Sequence, residues 1–238
     1  MMQLELHMNP DSPLILALDT TKIDEAKRMI LETRESIGIY KIGLEFYLAH
    51  GKAGIAHLRQ SCGDFKLFLD LKLHDIPNTV SKSAHAVAEI EPTILTVHAA
   101  GGAAMIKAAV DELPKSKVAA VTILTSLDST SVAEIGFAGS ISDLAVKLAK
   151  LSVNNGAAAI VCSAHEVALL RNALPSHTLL ITPGVRPADS ATNDQSRTMT
   201  PLQARQAGAD YLVIGRPITA SSNPGQSAAS ILASLTER

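Results

Sequence analysis

Short, continuously apolar runs alternate with longer amphipathic segments along the whole chain. Strand-like runs of this kind lie at residues 14–18, 39–43, 65–72, 94–98, 118–124, 158–162, 178–182 and 211–215. Strands that are apolar on both faces are typical of parallel sheets covered by helices. Several of the intervening segments, among them 23–37, 78–90 and 142–155, carry the apolar spacing of amphipathic helices. The pattern therefore predicts a series of strand–helix units.

The number of units decides between the two common architectures of parallel sheets. Eight units favour a closed (β/α)8 TIM barrel over an open doubly wound sheet, and no glycine-rich dinucleotide fingerprint follows the first strand. A length of 238 residues suits a single domain, with residues 1–12 as a short N-terminal extension. The longest irregular stretch, 183–199, is long enough to predict a functional loop rather than a domain boundary.

Composition and net charge narrow the classes of partner that the protein can bind. The net charge of -2 and the pI near 6.4 provide no basic field, so nucleic-acid binding has no electrostatic support. Cys62 and Cys162 lack metal-ligand spacing and are predicted to be reduced, packed thiols. The N-terminus has no secretory pattern, and no apolar run approaches the length of a membrane span. We therefore expect no membrane association and a cytoplasmic location.

Three ionised side chains stand where the third strand runs out into a turn. Asp70 and Lys72 are two residues apart, which is about 6.6 Å along a strand and places both on one face. Asp75 lies beyond them, close to Pro77, whose ring biases Ile76 away from helix, so Asp75 need not face the same pocket. A buried Asp–Lys cluster is costly unless paired, which leaves two interpretations, a structural ion pair or a functional site.

Other candidate residues fall at the carboxyl ends of the predicted strands or, for Lys41, within the second strand, and barrel enzymes place their chemistry at these ends. They are Asp19, Lys41, Thr125, Ser126, Arg186, Gly215 and Arg216. The loops after the seventh and eighth strands often bind phosphate in such barrels. Gly215 allows backbone amides to approach an anion, and Arg186 and Arg216 supply positive charge. The sequence therefore predicts an anion site at this edge.

The motif Asp70-x-Lys72-x-x-Asp75-Ile76-x-x-Thr79 resembles the signature of the orotidine 5'-phosphate decarboxylase family in its bacterial form. The resemblance covers nearly the whole chain. Its further matches, in order, are Leu-Ala-Leu-Asp19, Lys41-Ile-Gly, Val-Thr-Ile-Leu-Thr125-Ser, Thr-Pro-Gly-Val-Arg186-Pro, Asp194-Gln195-x-Arg197 and Ile-Gly-Arg216-Pro-Ile.

The resemblance implies decarboxylation of orotidine 5'-phosphate to uridine 5'-phosphate, in pyrimidine biosynthesis, without metal or organic cofactor. The implied catalytic residues are Lys72, Asp70, Asp75 and Lys41. The implied substrate contacts are Asp19 and Lys41 at the ribose, Thr125 and Ser126 near the pyrimidine, Gln195, Gly215 and Arg216 at the phosphate, and Arg186, Pro183 and Thr79. It also implies a homodimer in which Asp75 reaches the neighbouring site, and a loop carrying Gln195 that closes over the ligand.

Four alternatives stay open on the sequence alone. Ser163, His165 and Glu166 invite a hydrolase interpretation, although they stand at a predicted helix start, where Ser and Glu cap. His98 is expected to be packed, yet with Asp70 it could hold an ion. A magnesium-dependent sugar-phosphate decarboxylase or aldolase of the same barrel type shares the Asp-x-Lys-x-x-Asp core. A non-catalytic barrel that binds nucleotide would keep the arginines but would not need Lys72.

Overall fold

Eight parallel strands close into one barrel in a computed structural model that describes residues 8–186 and 199–235. The strands are β1 (Leu14–Ala17), β2 (Ile39–Gly43), β3 (Leu67–Leu73), β4 (Ile94–His98), β5 (Lys117–Val121), β6 (Ala159–Val161), β7 (Leu179–Pro183) and β8 (Tyr211–Ile214). Each strand pairs with the next one along the chain, and β8 closes on β1 through the pairs Leu14–Leu212 and Leu16–Ile214. The predicted (β/α)8 barrel is confirmed.

Helices follow the strands on the outside of the barrel. They are α1 (Ile23–Thr33), α2 (Leu44–Cys62), α3 (Pro77–Ala88), α4 (Ala103–Glu112), α5 (Ser129–Glu134), α6 (Ile141–Asn154), α7 (Val167–Ala173), α8 (Pro201–Gln206), α9 (Arg216–Thr219) and α10 (Pro224–Ser234). Two 3-10 turns, Ala99–Gly101 and Ala164–Glu166, precede α4 and α7. None of the helices within the described ranges has the length and apolar content needed to cross a bilayer.

Two element ends differ from the sequence prediction by three residues or more. The first helix ends at Thr33 rather than at residue 37, because the chain turns there, with the Ser36 N–H donating to the Thr33 carbonyl. Strand β5 ends at Val121 rather than at residue 124, because the chain enters a turn in which the Leu127 N–H donates to the Leu124 carbonyl. Apolar residues continue past both ends, so hydrophobicity alone overestimates their length.

The core has two layers, which follow from the alternation of side chains along each strand. The inner layer fills the barrel with residues such as Ile15, Phe68, Ile94 and Ile181. The outer layer, larger in extent, lies between the strands and the helices, and it includes both cysteines, which are buried free thiols as predicted.

The same alternation decides which polar side chains enter the barrel mouth. A side chain that lies two residues after an inward-facing apolar residue also faces inward. Asp19 follows Ala17 of β1, Asp70 follows Phe68 of β3, and Thr96 follows Ile94 of β4 in this way. The polar layer therefore lies directly above the apolar filling, at the carboxyl end of the barrel.

Candidate active site

The carboxyl end of β3 departs from regular strand geometry. Leu69 pairs with Leu95 and Leu73 pairs with Val97, so β3 advances four residues where β4 advances two. Lys72 lies in this bulge with φ 48°, in the left-handed region that a residue with a side chain adopts at a cost. Bulges commonly re-aim a side chain beside an active site. Here the bulge coincides with a Lys72 ammonium that turns back toward Asp70.

Four charged side chains form a continuous network at the barrel mouth. Lys72 Nζ lies 2.9 Å from both carboxylate oxygens of Asp70. Lys41 Nζ lies 3.6 Å from Asp70 Oδ2 and 3.1 Å from Asp19 Oδ1. The side chains of Lys41 and Asp70 are each only 12% exposed, whereas that of Asp19 is 62% exposed. The predicted meeting of Asp70 and Lys72 is therefore confirmed, and Lys41 joins them.

Opposing effects act on the ionisation of Asp70. Burial alone would raise the pKa of this carboxyl group, because the charged form loses its hydration. The positive charges of Lys41 and Lys72, and hydrogen bonds from Lys72 and Thr96, outweigh burial and hold the pKa below its ordinary value. Asp70 is therefore a carboxylate across the physiological pH range.

Thr96 and His98 of β4 extend the network, and the sequence analysis did not assign Thr96 to the site. The buried Thr96 hydroxyl donates to Asp70 Oδ1 at 3.0 Å and accepts the Lys72 backbone N–H at 2.8 Å. The His98 ring stacks against that of His74 with centroids 5.4 Å apart, so the predicted packing of His98 is confirmed. Burial, followed by the charges of His74 and Lys72, lowers the pKa of His98. Its imidazole is therefore neutral at pH 7.

A cavity of about 180 Å³ opens beside the charged network. Its lining comprises Leu18, Asp19, Lys41, Gly43, Leu44, Glu45, Phe46, Asp70 and Lys72. Gly43 lies close to the network, since a Cβ there would be in ordinary contact with Lys41 Nζ, at 3.4 Å. Four of the predicted site residues thus meet at one cavity. The start of α2, which supplies Glu45 and Phe46, was not predicted to contribute.

The predicted phosphate contacts lie around the same end of the barrel. Gly215 is the N-cap of α9 and directly follows β8, and a Cβ there would lie 3.9 Å from Asp19 Oδ2, which places Gly215 at the edge of the network. Arg216 is the exposed first residue of α9, and Pro183 ends β7. The Arg186 N–H donates to the Met199 carbonyl at 3.1 Å. Gln195 lies outside the described residues.

The remaining predicted residues are exposed and are not among the residues that line the cavity. Thr125 and Ser126 form an exposed turn after β5. Asp75 and Thr79 belong to a run of exposed residues, 74–79, at the start of α3. The Asp75 carboxylate accepts the N–H of Ile76 at 2.7 Å. The structure thus brings Asp70, Lys72, Lys41 and Asp19 together and leaves Asp75 on the surface beside them.

Comparison with known proteins identifies this arrangement. A family model described as orotidine 5'-phosphate decarboxylase / HUMPS family matches residues 12–231. The chain belongs to this family. The matched range includes all eight strands and every residue of the charged network.

Individual members of the family resemble the chain over almost its full length. The orotidine 5'-phosphate decarboxylase of Thermobifida fusca (strain YX) is 47% identical over 224 residues, covering 94% of this chain and 96% of the relative. That of Sphingopyxis alaskensis is 47% identical over 225 residues, covering 94% and 99%. The crystal structure of the Lactobacillus acidophilus enzyme superposes with a TM-score of 0.83 at 34% identity, covering 95% of this chain and all of that chain.

Membership of the decarboxylase family leaves Ser163, His165 and Glu166 to be explained. Ser163 caps the 3-10 turn Ala164–Glu166: its hydroxyl accepts the His165 N–H, and the Glu166 carboxylate accepts the Ser163 N–H at 3.2 Å. This reciprocal pair is a capping box, which satisfies the free N–H groups of the turn. The capping interpretation is confirmed, and the geometry contains no nucleophile–base contact between these residues.

Glu166 generates a prediction about stability. Burial raises the pKa of its carboxyl group from 4.5 to about 7, against the lowering effect of the Ser163 N–H. Between these two values the folded state binds more protons than the unfolded state, so the free energy of unfolding falls as pH rises. Glu166→Gln should abolish that fall. Relative to wild type, the variant should gain up to about 3 kcal/mol between pH 4.5 and pH 8, measured by urea unfolding.

Glu134→Gln, the same change at an exposed position of α5, should leave the wild-type pH dependence intact. A Glu166→Gln variant with an unchanged pH dependence would show that Glu166 is ionised in the folded protein throughout this range.

Proposed function

We propose that this protein decarboxylates orotidine 5'-phosphate to uridine 5'-phosphate in pyrimidine biosynthesis, with Lys72 as the proton donor. The observation that carries the proposal is the Lys72–Asp70 contact, held at 2.9 Å beside a cavity in a chain of this family. The curated relatives named above are orotidine 5'-phosphate decarboxylases that align over nearly their full lengths, which supports the same substrate here.

The reaction needs a cation and a proton at one carbon atom. The bond between ring carbon six and the carboxylate breaks, carbon dioxide leaves, and the electron pair stays on carbon six. No conjugated group absorbs this charge, so the protein must stabilise it electrostatically. Lys72 offers an ammonium for that purpose and then transfers one of its protons to carbon six. Water restores the proton to Lys72 after the product has formed.

Asp70 and Lys41 prepare Lys72 for this role. Asp70 contacts the ammonium through both oxygens, which limits the positions that Lys72 Nζ can take before the substrate arrives. Lys41 contacts Asp70 from the side opposite the strand bulge and also holds Asp19. The substrate therefore meets a network whose geometry exists in its absence, and little reorganisation is needed when charge develops.

The proposed substrate orientation follows the layout of the barrel mouth. Asp19 and Lys41 take the ribose, because both line the cavity and Asp19 follows β1, the strand that pairs with β8. Gly215, Arg216 and Arg186, in the loops after β8 and β7, take the 5'-phosphate through backbone amides and charge. Thr125, Ser126 and Pro183 contact the pyrimidine side. Gln195 belongs to the phosphate contacts that the family resemblance implies.

We further propose a homodimer in which each cavity is completed by Asp75 and Thr79 of the neighbouring chain. The run 74–79 is exposed throughout, and it includes Ile76, a large apolar side chain that is 65% exposed. Within the described residues, the ion pairs of the network involve Asp19, Lys41, Asp70 and Lys72 and do not include Asp75. In the proposed dimer, the exposed Asp75 of each chain reaches the cavity of its neighbour, as the family resemblance implies.

The first prediction from the proposed function concerns the reaction itself. Purified protein in excess EDTA should consume orotidine 5'-phosphate, followed by its ultraviolet absorbance, and release uridine 5'-phosphate. Lys72→Ala should lower kcat by about 10⁴-fold or more, because it removes both the stabilising charge and the proton donor. Lys147→Ala, at an exposed position of α6, should retain wild-type turnover.

Three results would contradict this prediction. Turnover that requires magnesium, or activity only on sugar phosphates, would assign the protein to the metal-dependent barrel enzymes. Tight nucleotide binding without conversion would indicate a non-catalytic barrel. Wild-type turnover that survives in Lys72→Ala would leave the reaction in place but remove Lys72 as its proton donor.

The second prediction separates phosphate binding from the ring chemistry. Arg216→Ala should lower kcat/KM for orotidine 5'-phosphate by about 10- to 100-fold, the effect of losing a hydrogen bond to a charged group. The same variant should process orotidine, which has no phosphate, at the wild-type rate. Arg28→Ala, an exposed arginine of α1, serves as the control. An equal loss with both substrates would place Arg216 at the ring or in the fold.

The third prediction tests the shared site. Lys72→Ala and Asp75→Ala chains should each be inactive alone. When they are co-expressed, random pairing in a two-fold dimer should restore about a quarter of wild-type activity, because half the dimers contain one site with both residues intact. If Asp75 served the cavity of its own chain, every hybrid site would lack one residue and no activity would return.

A further inference from the structure

The bulge in β3 leaves one backbone group without its regular partner. Between the pairs Leu69–Leu95 and Leu73–Val97, Thr96 is the single residue of β4 that stands opposite Asp70, Leu71 and Lys72. A regular parallel ladder cannot pair three residues with one, and a buried N–H without an acceptor is costly. The Lys72 N–H is satisfied instead by the Thr96 side chain, at 2.8 Å.

The Thr96 hydroxyl performs a second task with its hydrogen. A hydroxyl can accept and donate at the same time, and this one donates to Asp70 Oδ1 at 3.0 Å. Thr96 has no exposed surface, so water does not compete for either bond. One buried oxygen atom is therefore bonded to the main chain of Lys72 and to the side chain of Asp70, which in turn holds the Lys72 ammonium.

We propose that Thr96 is a positioning residue for the decarboxylation, which sets the Lys72 proton donor through its backbone and through Asp70 at once. This inference rests on the proposed function. The left-handed φ of 48° at Lys72 is unfavourable for a residue with a side chain and persists only where its surroundings enforce it. The hydroxyl supplies that enforcement at the strained residue itself, and its second bond selects one rotation of the carboxylate.

The side chain suits this role for two reasons. Branching at Cβ limits Thr96 to few rotamers, so the hydroxyl is held in place before the substrate binds. The residue is also surrounded by apolar neighbours in its strand, Leu95 and Val97, which pack in the outer layer and fix the strand against the helices. The barrel wall, rather than a loop, thus determines the position of Lys72 Nζ.

The test compares three substitutions of Thr96 that remove, keep or weaken the hydrogen bonds of its hydroxyl group. Thr96→Val keeps the shape and removes both bonds, so kcat for orotidine 5'-phosphate should fall by about 100-fold, the cost expected for a displacement of about 1 Å. KM should change little, because the proposed phosphate and ribose contacts come from other strands. Thr96→Ser keeps the hydroxyl and should recover most of the wild-type kcat. Thr96→Cys, with a weakly bonding thiol, should lie between them and carries the test if the valine variant does not fold.

A matched control lies in the same pair of strands. Thr93 immediately precedes β4, and its hydroxyl accepts the Leu67 N–H of β3 at 3.2 Å, at the opposite end from the charged network. Thr93→Val removes a bond of the same kind between the same elements. It should lower the free energy of unfolding and leave kcat at the wild-type value.

Defined results would overturn the inference. If Thr96→Val and Thr93→Val lower kcat equally, the effect is a general weakening of the β3–β4 pair. If Thr96→Val retains kcat within threefold of wild type, or Thr96→Ser is no better than Thr96→Val, the hydroxyl does not position Lys72. Failure of the proposed function looks different, because the wild-type protein itself would then not convert orotidine 5'-phosphate in the same assay.

Discussion

A buried carboxylate is stable only if its surroundings replace the water that it has lost, and Asp70 is the group on which the upper layer of this barrel depends. It receives Lys72 on both oxygens, Thr96 on one and Lys41 near the other. These partners come from three neighbouring strands, β2, β3 and β4. Removing one partner would leave the Asp70 charge partly unbalanced at a site with little water. The network therefore acts as a unit. Its geometry follows from the need to balance one charge.

The strain at Lys72 is the local cost of this arrangement. In a regular strand the backbone between Asp70 and Lys72 would be fully extended. The bulge turns this backbone and shortens the distance between the two residues. The residues beneath tolerate this irregularity because Phe68 and Ile94 fill the barrel interior and fix the strands below the bulge. The apolar layer is therefore what allows a strained residue to persist directly above it, at the level of the cavity.

Periodicity predicted much of this site because the alternation of strand side chains is insensitive to small errors in strand ends. It placed Asp70 and Lys72 on one face, Asp19 just after the first strand and Lys41 within the second, and the structure has Asp19 two residues past β1 and Lys41 inside β2. It could not predict the bulge, since the letters of residues 69–73 carry no sign of a changed register. Thr96 was missed for a related reason: a threonine in an apolar strand is ordinary, and its partners lie 24 and 26 residues away. The start of α2 lines the cavity because of the way this helix packs against the barrel. The apolar pattern of a single segment does not reveal such packing.

The charges of the network also bear on which chemistry the barrel mouth favours. Asp19 and Asp70 contribute two negative charges, and Lys41 and Lys72 contribute two positive ones, so the four groups balance formally. A divalent cation at Asp70 would have to displace two ammonium groups that already neutralise it, and its binding would be opposed by their charge. An anionic substrate finds a different situation. In the proposed reaction, a substrate carboxylate that approaches Lys72 would compete with Asp70 for the same ammonium, and the competition would end when carbon dioxide leaves and the carbanion takes the proton. The arrangement therefore suits a reaction in which negative charge is first crowded and then relieved at Lys72, and it suits a metal-centred enediolate poorly.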